Sequence, residues 1–108
     1  QKRTVALSEY GGIAWPMPGH EPPGKTYGYG TAKDKADLTK RYKMLQWKTI
    51  LPQLGRGLSA LVYTQLTDVE DEVNGLFTYD RAALKPEAAA VRSCNAALAA
   101  EFAKATAK

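Results

Sequence analysis

The chain has 108 residues, 44% of them apolar and 24% charged, with a formal net charge of +4. This balance excludes wholesale disorder, and the length allows a single small domain (1–108) that keeps much of its surface wet. Lys and Arg never run longer than two and no apolar run approaches about 20 residues, which leaves no nucleic-acid-binding stripe and no membrane span.

Thr4-Val5-Ala6-Leu7 is a short apolar run bounded by charge before and by Glu9 and a glycine pair after. It predicts a buried strand, because Gly11-Gly12 would end a helix almost at once. The chain begins only two charged residues earlier, as expected of a piece cut from something larger. Residues 11–32 hold six Gly and four Pro, with Trp15, Tyr27 and Tyr29 among them, and predict a long loop of the kind that carries function. A helix is expected over residues 34–54. Trp47, Ile50, Leu51 and Leu54 fall at i, i+3, i+4 and i+7, and Leu38, Tyr42 and Leu45 extend the stripe. Pro52 lacks an N–H and predicts a kink, and Gly55 and Gly57 end the helix.

Residues 58–66 predict a second strand, apolar enough to be covered on both faces. Strand, helix, strand reads as a βαβ unit with parallel strands and a right-handed crossover. Asp68, Glu70, Asp71 and Glu72 then read as a solvated acidic loop, with a calcium site as the alternative, although no EF-hand spacing is present. Asn74-Gly75 marks a turn before residues 76–79. Pro86 suits the first turn of a last, Ala-rich helix over 87–107, with Val91, Cys94, Leu98 and Phe102 along one side. Cys94 is alone, so it forms no internal disulfide and no cysteine-built metal site, and it reads as a small apolar helix residue.

Residues 19–26, GHEPPGKT, fit the letters of a phosphate-binding P-loop ending at Lys25 and Thr26. The context that the chemistry needs is missing. A phosphate cradle requires donating backbone N–H groups between a strand and a helix N-terminus. Pro22 and Pro23 have no N–H, and Tyr-Gly-Tyr-Gly follows where a helix should start. The match is accidental, and no nucleotide or other cofactor is expected.

The more informative stretch is LSEYGG, residues 7–12. It sets Glu9 at the end of an apolar strand and follows it with glycines that let the chain turn sharply. A carboxylate there is either catalytic, as at the C-terminal strand ends of (β/α) barrels, or a surface residue at a turn. Together with ILPQLGRGLSALVYTQLTDVEDEVNGLFTYDRAALKP, this motif resembles the C-terminal part of the catalytic barrel of glycoside hydrolase family 2. That family includes β-galactosidases, β-glucuronidases and β-mannosidases, and the resemblance covers residues 4–90.

The resemblance implies an α/β fold, a β-α-β-α fragment of a (β/α)8 TIM barrel running from strand 7 to helix 8. It implies that Glu9, from the family's S/T-E-Y/F-G motif, is the catalytic nucleophile of a retaining glycosidase. Tyr10, Trp15, Thr64 and Gln65 are then expected beside the carbohydrate substrate, with no metal. Many members place a Trp at the end of strand 8, where this chain has Tyr63-Thr64-Gln65; Trp15 is either the replacement for that sugar platform or a loop anchor packed against the barrel rim. The family's acid/base Glu follows an Asn, and no Asn-Glu pair exists here, so the fragment alone is expected to be inactive. Its expected partners are the sugar, the rest of the parent barrel and, through bare strand edges, a second copy. The competing reading is a small carbohydrate-binding module that stacks sugars on Trp15, Tyr27 and Tyr29. His20, in the same loop, reads as a surface residue.

Overall fold

In the computed structural model, which describes residues 3–107, the elements run β1 (Val5–Gly11), β2 (Ile13–Ala14), β3 (Gly30–Thr31), α1 (Lys35–Met44), a π-helical turn (Leu45–Ile50), α2 (Leu51–Leu54), β4 (Leu58–Thr64) and α3 (Ala88–Thr106). β1 and β4 pair in parallel, with Leu7 opposite Leu61 and Tyr10 opposite Tyr63. The α1–α2 segment connects them, so the unit is α/β with a small parallel sheet. β2 and β3 form a second parallel pair inside the long Gly/Pro loop, which carries no periodicity to announce them.

Between Leu7 and Tyr10 the register slips, so that three steps along β1 match two along β4. The bulge falls at Ser8-Glu9. A bulge of this kind re-aims side chains and bends the strand. Its consequence is that Tyr10 joins Tyr63 on the helix side, ring centroids 5.3 Å apart and edge-on, while Tyr42 of α1 meets Tyr63 at the same distance. On the opposite face Ala60 and Val62 stay exposed, Val62 by 57%.

α1 starts because Asp34 caps it. The Asp37 N–H donates to Asp34 Oδ1 at 2.7 Å, which satisfies one end donor, and Asp37 Oδ2 accepts the Lys33 N–H at 3.0 Å just before the cap. Across α1, the π-helical turn and α2 the buried residues are Leu38, Thr39, Tyr42, Gln46, Ile50 and Leu54, a four-residue spacing apart from Thr39. On a regular α-helix each such step drifts about 40° around the axis. The π-helical turn takes up the drift, because each of its wider turns holds more residues.

This corrects two expectations. The distortion lies just upstream of Pro52, where the Leu51 N–H reaches back to the Gln46 carbonyl. Trp47 also leaves the buried stripe and is 41% exposed, with Gln46 in its place. β4 ends at Thr64, two residues short of the expected 66, because the Gln65 and Leu66 backbones pair with residues 74–77 instead. α3 begins at Ala88, so Pro86 precedes the helix and does not form its first turn. The first free N–H is satisfied from outside, as Thr39 Oγ1 accepts from Glu87 N at 3.0 Å. Cys94 is fully buried, with Val91 and Leu98 half-buried beside it.

Candidate functional site

Parallel pairing brings the C-terminal ends of β1 and β4 to the same edge. Glu9, Tyr10, Gly11, Gly12 and Thr64, with Tyr29 from the long loop, line a small cavity of about 230 Å³ there. Two glycines make the geometry possible. Gly11 has a φ of +101°, and a Cβ there would fall 2.6 Å from the Tyr63 ring. Gly12 has a φ of +71°, and the Tyr29 ring occupies the space where its Cβ would stand. The Gly12 N–H donates to the Thr64 carbonyl at 2.8 Å and the Tyr29 N–H to the Gly12 carbonyl at 2.9 Å, so backbone bonds hold this rim together.

The expected site residues divide. Glu9 is exposed at the cavity and Thr64 lines it. Tyr10 lines it with its ring, but its hydroxyl donates into the interior to Gln46 Oε1 at 3.1 Å. Burial pushes that phenol up from its ordinary value, against the opposite pull of the Gln46 hydrogen bond. Gln65 is engaged elsewhere: its Nε2 donates to Asn74 Oδ1 at 2.6 Å and to Glu72 Oε2 at 3.3 Å. Trp15 does not line the cavity and works through its backbone, its N–H donating to the Val73 carbonyl at 2.8 Å. Tyr29, which the sequence offers as a sugar-stacking residue only in the binding-module reading, is the residue the structure adds beside Glu9.

The acidic loop is not uniformly solvated. Glu70 and Asp71 are exposed, but Asp68 is buried and ion-paired with Lys85. Among the described residues no group of three His, Cys, Asp or Glu side chains could hold a metal, so the calcium alternative has no support in the geometry. His20 and Asp80 form a partly exposed contact, Nδ1 to Oδ2, at 2.7 Å. The Thr78 hydroxyl, the Ala82 N–H and His20 hold the Asp80 carboxyl well below the usual carboxylate range. Lys25 and Thr26 are exposed, and among the described residues no helix starts before Lys35, so the P-loop letters have no helix N-terminus behind them. Among the described residues no helix is long and apolar enough to cross a membrane.

No protein-family model and no curated protein matches this chain.

Proposed function

We propose that the chain is the strand-7-to-helix-8 portion of the catalytic barrel of a family 2 glycoside hydrolase, with Glu9 as its nucleophile. One observation carries the reading. Glu9 sits in a bulge at the C-terminal end of one of two parallel strands, at a cavity it shares with Thr64 and Tyr29. In (β/α) barrels that is where catalytic groups lie, and bulges are over-represented beside active sites. β4 would then be strand 8, the α1–α2 segment helix 7 and α3 helix 8.

In this reading Glu9 attacks the anomeric carbon and forms a covalent glycosyl-enzyme, which water then hydrolyses. The second carboxyl, about 5–5.5 Å away in retaining enzymes, protonates the leaving oxygen and later activates the water. It would come from a strand across the barrel, which also supplies the cover for Ala60 and Val62. The described chain alone should not turn over. Trp15 does not line the Glu9 cavity, and of the two aromatics that do, Tyr29 is the better sugar platform because the Tyr10 hydroxyl is bonded to Gln46 in the interior.

The test uses the whole barrel. A mechanism-based fluoro-sugar should label Glu9, and Glu9→Gln should lose at least about 10³-fold in kcat while keeping the fold, since the amide keeps the shape and loses the attacking charge. Labelling at any other residue removes Glu9 from the role.

A second reading has its own observation. Tyr27 and Tyr29 are exposed and lie edge-to-face with centroids 5.8 Å apart, which supports a carbohydrate-stacking surface in a non-catalytic module. If an oligosaccharide titrated into the chain alone shifts the Tyr27 and Tyr29 amides, the module reading prevails.

A further inference from the structure

A groove lies away from Glu9, along the outward face of α1. It has a volume of about 600 Å³, and Lys40, Lys43, Met44, Trp47 and Lys48 line it, closed at one end by Lys35 and Glu87. The π-helical turn explains its floor. By passing the buried position to Gln46, the turn leaves Trp47 outside, next to Met44, which is also exposed. Two large apolar side chains therefore share a helix face that no described element covers.

The rim is cationic. Lys35 pairs with Glu87 at 3.8 Å, while Lys40, Lys43 and Lys48 have no carboxylate partner among the described residues. The Lys43 ammonium instead lies 5.5 Å from the centre of the Trp47 ring. Four ammonium groups face one carboxylate here, so this groove carries three of the chain's four net positive charges. The lysine stems add apolar area and keep their heads at the rim.

We propose that this groove docks an acidic, amphipathic helical segment of another polypeptide, with apolar anchors on Met44 and Trp47 and carboxylates on Lys40, Lys43 and Lys48. Charge complementarity selects the acidic partner. Length selects a polypeptide. From Lys35 to Lys48 the groove follows the helix for about 20 Å at roughly 1.5 Å per residue, more than a small ligand spans. Helix-in-groove recognition supplies the geometry, with apolar anchors at Met44 and Trp47 between lysines that reach the rim. The proposal does not depend on the reading of Glu9.

The experiment titrates the full chain with a synthetic amphipathic helix that carries leucines on one face and glutamates beside them. The same helix with lysines for glutamates and vesicles of phosphatidylserine with phosphatidylcholine serve as comparison probes. Amide shifts should be confined to residues 35–48 and the neighbourhood of Glu87. Lys40→Glu with Lys43→Glu should weaken binding at least about tenfold, and salt should weaken it in the original chain. Trp47→Ala should weaken binding at least about tenfold as well, the effect of losing a central aromatic anchor. These surface changes leave the buried stripe intact. Equal binding of the basic helix, shifts centred on Val62, preference for the vesicles, or no lysine-dependent binding at millimolar peptide would each overturn the proposal.

Discussion

Lys85 Nζ donates to Asp68 Oδ1 at 2.8 Å with the two side chains only 0% and 1% exposed. The same ammonium donates to the carbonyls of Trp15 and Val73, each at 2.9 Å. One lysine therefore ties the loop after β1, the acidic loop and the entry to α3 into one knot. Burial pushes the ammonium down from its ordinary value, and the Asp68 carboxylate pulls the other way. Each charge is acceptable inside only because the other is present.

Lys85→Met should destabilise the chain by about 3–5 kcal/mol, because it strands the Asp68 carboxylate. Urea unfolding measures this. Converting Asp68 to Asn as well should restore part of the loss. A single variant as stable as the original would mean that water already solvates the pair.

Gly75 is the second constraint in the same knot. A Cβ there would fall 2.2 Å from Asp68 N and from the Thr67 carbonyl carbon, and its own N–H donates to Asp68 Oδ1 at 2.8 Å. Gly75→Ala should cost about 3 kcal/mol or more, since backbone rather than a flexible side chain must move. Gly55→Ala, at a φ of −69° with only one atom near, should instead stabilise by about 0.4–1 kcal/mol. Thermal melts of the two variants should move in opposite directions.

The open sheet face should drive self-association of the isolated chain. Val62 is 57% exposed, and no charged or proline residue within Leu58–Thr64 discourages pairing. Covering a Val on each copy contributes about 1.5 kcal/mol or more. Sedimentation at micromolar concentration should give a dimer, and Val62→Lys should shift it toward monomer. A monomer for the original chain, with slow amide exchange in β1 and β4, would contradict this.

Tyr10, Tyr42 and Tyr63 predict a base-sensitive fold. Burial raises all three phenols above the ordinary value of 10.0, Tyr63 most strongly. A proton held more tightly in the folded state stabilises fully below the unfolded pKa, and that stability is lost as pH rises through the folded pKa. Stability should therefore be level up to about pH 10, the ordinary tyrosine value, and fall above it. Phenolate absorbance should show these three tyrosines ionising above the ordinary value, Tyr63 last. Tyr63→Phe should flatten the decline.

Local chemistry determined a good part of this architecture. The apolar run before Gly11-Gly12, the run after Gly57 and the helix between them specify β1, β4 and their parallel order, because periodicity and glycine act over a few residues. The carboxylate at the end of β1 was legible for the same reason. Tertiary structure decided the rest. Nothing near Lys85 in sequence signals that it meets Asp68, since the pair closes only when three loops converge. Trp47 fits the helical stripe by local spacing, and the π-helical turn that expels it answers to contacts with α3 and to the Tyr10 hydroxyl that donates to Gln46. Tyr29 reaches the Glu9 cavity through a backbone bond to Gly12, seventeen residues back along the chain. Such pairings join residues distant in sequence, and neither propensity nor patterning records them.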